Sequence, residues 1–185
     1  MDLCGDGTIW NDNDGQCVVL VIAIGDTHRG GIVFYLDGNG GGLIAAPADQ
    51  STSAKWSVNY ETIVGAYATS IGTGAQNTQY ILNTAATPGI AANICSSLDF
   101  GGYADWFLPS KDELNEMYEN IGQNSPLGNV GGFETVWYWS STEFSNGNAE
   151  VQHFNNGLHW GPNSPIIHAI WEIMKRYGIQ KSFFV

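Results

Sequence analysis

The segment Gly102–Leu114 constrains the fold of this chain most strongly, because it marks the residue at which a helix begins. Ser110 and Glu113 have the Ser-x-x-Glu spacing of a capping box, in which each side chain satisfies a backbone N–H of the other residue. Asp112 complements the positive end of the helix dipole. The helix is predicted to present one apolar face and to stop at Gly122. The residues of that face are Leu114, Met117, Tyr118 and Ile121.

Outside this helix the chain consists mostly of short apolar runs separated by glycine-containing turns, which predicts an α+β fold. Its 24 glycines, with few Lys, Glu or Leu residues, argue against a helical bundle. A second helical pattern runs from Thr78 to Leu98, and Pro88 either divides or kinks it. The predicted strands are 18–24, 32–36, 43–46, 136–142, 150–154 and 158–160, with a hairpin turn at 155–157.

The N-terminal residues have a pattern of their own, with Cys4 and Cys17 flanking a turn rich in Gly, Asp and Asn. This pattern favours a hairpin closed by a disulfide, since so small a piece cannot bury its own core; two free thiols are the alternative. Cys95 falls in an apolar helical pattern and is expected to be buried. We therefore expect an N-terminal hairpin and lead-in strand at residues 1–24 and a larger domain at residues 25–185.

The charge of the chain limits its partners, because six Lys/Arg face eighteen Asp/Glu and the formal net charge is −12. Nucleic-acid binding needs a basic patch, and the sequence offers none before residue 175. The longest apolar run, Val18–Ile24, is too short to span a bilayer, and the N-terminus lacks the pattern of a signal peptide. We expect neither nucleic-acid binding nor membrane insertion.

Catalytic and metal-binding signals are weak throughout the sequence. His153 and His159 lie on facing strands of a predicted hairpin and could converge, but no further cysteine or helical His pair completes a zinc site. Exposed contact residues are the preferred interpretation of both. Ser140–Glu143 lacks a glycine-flanked elbow and an evident base, which favours packing and hydrogen bonding at a buried strand end. We expect no catalytic residue, no metal ion and no cofactor.

Seven short motifs follow one another in a fixed order: Gly30–Leu36, Leu43–Pro47, Ile71–Gly74, Asn77–Thr78, Gly102–Leu114, Gly131–Phe133 and Tyr138–Glu143. The ordered set resembles the C-type-lectin-fold domains found at the ends of bacterial collagen-like adhesins and in the variable proteins of diversity-generating retroelements. The resemblance runs from about residue 25 to about residue 160. It implies a C-type lectin fold, in which two helices flank a small twisted antiparallel sheet with long loops.

The resemblance also implies a constant scaffold that displays a hypervariable surface. In diversified relatives, error-prone copying at adenines changes the residues that follow the block matched here by Tyr138–Glu143. A mutable Asn codon can encode most amino acids but never Trp, Met, Lys, Glu or Gln. We therefore expect a variable display segment at about residues 145–171. The expected ligand-binding residues are Val151, His153, Leu158, His159, Trp160, Pro162, Asn163, Ser164, Pro165, Ile166 and His168.

The function implied is ligand binding in receptor or host-surface recognition, with a protein ligand or cell-surface receptor as partner. Such a domain would act outside the cell, as a virion (tail fibre) component or a cell-surface protein. A fixed-sequence glycan-binding adhesin is the alternative, and a structural cap of an oligomeric fibre is a third possibility. Trp160 either anchors a ligand or packs beneath a loop. Trp106, Trp137 and Trp139 are expected to lie in the core.

The C-terminus departs from the resemblance, since relatives close with a basic strand and the matching place here is Ile166–Trp171. Local signals favour a helix at residues 165–177, with Ser164 as its cap and Pro165 at its first position. Helix and strand both stay open at this point. If the helix forms, Ser182–Val185 is the expected closing strand.

Overall fold

The fold combines helices with small antiparallel sheets in the residues that the computed structural model describes, which are 8–19, 21–57, 64–85, 87–145, 148–160 and 173–178. The strands are β1 (Thr8–Asn11), β2 (Gln16–Val19), β3 (Thr27–His28), β4 (Gly31–Leu36), β5 (Gly41–Ala45), β6 (Trp137–Ser145), β7 (Asn148–His153), β8 (His159–Trp160) and β9 (Ile173–Gly178). The helices are α1 (Gly74–Ala85), α2 (Ala91–Ser97) and α3 (Lys111–Asn120). The sheets have the strand orders β1-β2, β3-β4-β5-β9 and β6-β7-β8. The predicted α+β class is confirmed.

Helix α3 begins where the capping box predicts. The backbone N–H of Glu113 donates to Ser110 Oγ at 3.3 Å, and the backbone N–H of Ser110 donates to Glu113 Oε2 at 2.7 Å. The helix ends at Asn120, and the chain packs so closely after it that a Cβ on Gly122 would lie 2.8 Å from the carbonyl oxygen of Tyr118. Local chemistry therefore defines the start of this helix, and glycine is required just beyond its end.

The second helical pattern forms two separate helices rather than one kinked helix. Helix α1 begins at Gly74, four residues before the predicted start, and Pro88 lies in the turn between α1 and α2. The two helices bury one apolar cluster against the rest of the domain, which includes Trp56, Ile81, Ile90 and Leu108. Across the described ranges, no helix is long and apolar enough to cross a membrane.

The N-terminal hairpin is confirmed in its described part, where β1 and β2 pair antiparallel from Thr8↔Val19 to Asn11↔Gln16. Cys17 is disulfide-bonded, as expected, while Cys4 lies outside the described residues. Cys95 is buried, as its helical pattern predicts. The predicted strand 18–24 is wrong beyond β2, because residues 21–24 form no strand.

The main core lies where β4 and β5 face α3 and the first residues of β6. Phe133, Tyr138 and Phe154 form an aromatic cluster, with the Phe154 ring 4.6 Å from each of the other two ring centroids. Trp106 is buried in a separate cluster with Val33, Ile44 and Ala46, so its predicted core role is confirmed. The main core cluster also contains Leu114, Met117 and Tyr118, so it packs α3 against both larger sheets.

The closing element is a strand in its described part. Strand β9 pairs antiparallel with β5, with Gly42 opposite Tyr177 and Leu43 opposite Arg176. The alternative of a helix through residue 177 is therefore wrong, because pairing with β5 overrides the local helical spacing. Ile166–Trp171 and Ser182–Val185 lie outside the described residues.

Candidate functional site

Residues 64–73 form a loop, here called the clamped loop, that is held by both of the strongest sequence motifs. Thr142 Oγ1 donates to the carbonyl oxygen of Ala68 at 2.9 Å and accepts from the backbone N–H of Lys111 at 3.0 Å. The backbone N–H of Ser141 donates to the carbonyl oxygen of Pro109 at 2.6 Å. The two motifs therefore contact each other as well as the loop.

Two buried glutamates bind backbone N–H groups of the clamped loop. Glu143 Oε2 accepts from the backbone N–H groups of Val64 and Gly65 at 3.0 and 2.9 Å. Glu113 Oε1 accepts from the backbone N–H of Gly72 at 2.7 Å. Burial raises the pKa of Glu113, while hydrogen bonds from backbone N–H groups of Ser110 and Gly72 oppose that rise. Both carboxyl groups accept hydrogen bonds from the backbone of the clamped loop, which confirms the packing and hydrogen-bonding role predicted for Ser140–Glu143.

One surface of the sheet β6-β7-β8 is aromatic. Trp139, Val151 and Trp160 stand opposite one another on neighbouring strands, and Trp137 stands opposite His153. Paired residues of antiparallel strands project to the same side, so these five residues define one surface, here called the outer face. The rings of Trp137 and His153 meet edge to face, with centroids 4.9 Å apart. Trp139 packs against the cluster of Trp56 and Ile81, and its indole N–H donates to the carbonyl oxygen of Ala54 at 3.1 Å, which is consistent with its predicted core role. Trp137 is only half-buried beside His153, so its predicted core role is wrong.

The expected ligand-binding residues divide by exposure. Leu158 and Trp160 are exposed, at 55% and 52%, and His153 and His159 are half-buried. Val151 is only 1% exposed, between Trp139 and Trp160 of the neighbouring strands, so the expectation that Val151 contacts a ligand is wrong. The others, which are Pro162, Asn163, Ser164, Pro165, Ile166 and His168, lie outside the described residues.

His159 projects from the opposite side of the sheet to Trp160. It stands opposite Gln152, and its Nε2 lies 3.3 Å from Asn115 Oδ1, which also accepts from Gln152 Nε2 at 2.8 Å. Since successive residues of β7 face opposite sides, His153 and His159 do not converge. In the described part of the chain, no group of three or more His, Cys, Asp or Glu residues could hold a metal ion.

An open cavity of about 580 Å³ lies beside His159, between α3 and the clamped loop. It is lined by Ser70, Ile71, Lys111, Asp112, Asn115, Glu116 and His159. Sequence reasoning missed the contribution of α3. The available signal was the i, i+4 spacing of Lys111 and Asn115, which places both on one side of the predicted helix.

Comparison with known proteins adds no family to this geometry. No protein-family model matches the chain, and no curated protein is significantly similar to it. The function must therefore be inferred from the scaffold, the outer face and the cavity.

Proposed function

We propose that this chain is a ligand-binding display domain of the C-type lectin fold, akin to the variable proteins of diversity-generating retroelements, and not an enzyme. The observation that carries the proposal is the exposure of Leu158 and Trp160 at the end of a sheet that a dense buried network supports. A large aromatic side chain on a fixed strand offers contact area at a low cost in rotamer entropy.

The positions of the ordered motifs support the C-type lectin part of the proposal. The segments that carry the resemblance contribute strands, helix α3 and the clamped loop, so they belong to the scaffold. The segment expected to vary begins at the end of β6 and includes β7 and β8. Constant and variable parts of the proposed domain therefore fall on different elements.

A protein target suits the chemistry of the outer face. Trp160 is exposed on this face and Trp137, Trp139 and His153 are half-buried, while Val151 is covered, and Leu158 is exposed nearby along the chain. Aromatic residues are enriched and charged residues depleted at the centres of protein interfaces. The proposed setting is a virion tail fibre or a cell surface, where a receptor is the partner.

Sequencing the gene across its source population tests the proposal. We expect adenine-templated variation at exposed or half-exposed positions such as His153, Leu158 and His159. Buried Val151 and Phe154 should keep apolar residues, because a polar side chain there would be buried without a partner. Trp160 should stay constant, since a mutable Asn codon cannot encode Trp.

The same gene contains a matched control. Asn77 and Asn120 also have adenine-containing codons, but both side chains hydrogen-bond to scaffold carbonyl groups, those of Ala68 and Phe34. These two codons should be uniform while the display codons vary. Uniform codons across residues 145–171 would contradict the diversified display domain and favour a fixed adhesin, for which a glycan array is the next experiment.

A further inference from the structure

The cavity beside His159 has an acidic lining. Asp112 and Glu116 are four residues apart on α3, so their carboxylates lie on the same side of the helix. Lys111 is the lining cation, and its Nζ lies 3.3 Å from Glu150 Oε1, which balances its charge. The two lining carboxylates therefore give the cavity a net negative charge that a ligand can neutralise.

His159 adds a hydrogen-bond acceptor without adding positive charge. Asn115 Oδ1 accepts from Gln152 Nε2, so the His159 Nε2 atom beside it acts as a donor and carries the proton. Burial lowers the pKa of His159 and the nearby charge of Lys111 lowers it further, against smaller opposing effects of Glu150 and Asp112, which favours the neutral ring. Its Nδ1 atom is then an acceptor.

The dimensions and walls of the cavity suit a long basic side chain. A volume of about 580 Å³ falls within the range of about 300–1,000 Å³ that is typical of small-ligand pockets. Ile71 supplies an apolar wall, against which the methylene stem of a lysine or arginine can pack. The net charge of −12 favours the approach of a basic partner.

We infer that this cavity binds a lysine or arginine side chain of a protein partner, with Asp112 and Glu116 receiving the cation. The inference rests on the proposed function and deepens it, because it assigns a basic contact segment to the partner. His159 and exposed Trp160 are consecutive residues of β8, the edge strand of the described sheet. Their side chains project to opposite sides of this edge strand, so a partner contacts both Trp160 and the cavity by packing around the β8 edge of the sheet.

The test is an NMR titration of the full chain with N-acetyl-arginine amide, with N-acetyl-citrulline amide as its neutral isostere. We expect the arginine probe to shift the backbone amide signals of Asp112, Asn115 and Glu116. The affinity should be on the order of millimolar, as for a partly exposed ion pair, and should weaken as salt is added. The citrulline probe should bind at least roughly tenfold more weakly, because it lacks the charge.

Isosteric variants locate the binding site of the probe. Asp112→Asn and Glu116→Gln should each weaken binding by roughly threefold to tenfold, while retaining well-dispersed spectra. Glu119→Gln is the matched control, because Glu119 is on the same helix but does not line the cavity. Equal binding of the two probes, shifts confined to other residues, or unchanged affinity in both lining variants would overturn the inference.

The titration and the population sequencing fail independently of each other. A negative titration together with variable display codons would overturn the cavity assignment and leave the proposed function standing. A positive titration with uniform display codons would retain a basic-side-chain site in a domain that is not diversified.

Discussion

The clamped loop and the segment around β8 both contain little regular secondary structure, but they differ in how many buried hydrogen bonds hold them. Glu113, Thr142 and Glu143 each bond to the backbone of the clamped loop from a buried position. Strand β8 consists of two paired residues, of which Trp160 is exposed, and Leu158 just before the strand is exposed as well. Buried polar contacts are concentrated where the chain must keep one conformation, and they are few where its surface is accessible.

This contrast explains why the most recognisable motifs say little about the ligand. Ser110–Glu113 and Ser140–Glu143 contribute hydrogen bonds to the loop and to each other, and their side chains are mostly buried. Substitutions in these motifs should change stability, whereas substitutions at the exposed positions Leu158 and Trp160 should change binding.

The largest expected effect is that of Glu143→Ala. The substitution removes the acceptor for the buried backbone N–H of Val64 and for the partly buried backbone N–H of Gly65. An unsatisfied buried donor costs about 1–3 kcal/mol and the loop also loses its anchor at Gly65, so we expect the free energy of unfolding to fall by about 4 kcal/mol. Urea denaturation monitored by tryptophan fluorescence measures the change.

Glu119→Ala is the control for that experiment, since Glu119 is an exposed glutamate of α3. It should change the free energy of unfolding by no more than about 0.5 kcal/mol. Similar losses in the two variants would show that the clamp contributes no more than a surface carboxylate.

A smaller loss of stability is expected within the proposed display segment, where a buried and an exposed position can be compared directly. Val151→Asn buries an amide on the central strand and should lower the free energy of unfolding by about 3 kcal/mol. Leu158→Asn, at a 55% exposed position, should change it by less than about 0.5 kcal/mol. Thermal or urea unfolding of the two variants measures this difference. Equal free energies of unfolding would contradict the assignment of Val151 to the scaffold and of Leu158 to the exposed surface.

Local chemistry explains which elements could be predicted from the sequence. The capping box of α3, the break at Pro88 and the turn at 155–157 depend on residues close together in the chain, and all three features were found. Strand β9 could not be placed in this way, because its pairing with β5 joins Leu43 to Arg176 across most of the chain. Its local spacing even favours a helix.

The candidate site shows the same limit. An alternating pattern indicates that Val151 and His153 share a side of β7, but burial of that side depends on Trp139 and Trp160 from neighbouring strands. The cavity depends on contacts between His159 and Asn115, which are 44 residues apart. Exposure of Leu158 was expected from the resemblance and that of Trp160 was one of two alternatives, whereas the acidic lining required the packing of α3.

The smallest expected effect concerns a carboxylate that is less well satisfied than Glu143. Burial raises the pKa of Asp49 to about 6, with a further rise from Glu134, while a hydrogen bond with Tyr138 opposes both. The unfolded chain should titrate near the ordinary aspartate value of about 3.9. A raised folded-state pKa makes the contribution of Asp49 most favourable below about pH 4, and that contribution is lost as the pH rises through about 6.

Asp49→Asn should therefore stabilise the protein only where Asp49 is ionised. We expect a gain in the free energy of unfolding of about 1 kcal/mol at pH 8, after allowing for screening of a half-exposed group, and almost none at pH 4. Urea titrations across this range measure the difference, with Asp12→Asn in the exposed β1–β2 turn as the control. A gain that is the same at every pH would assign the effect to packing of the amide. A loss at pH 8 would instead place Asp49 with Glu113 and Glu143, as a carboxylate on which the scaffold depends.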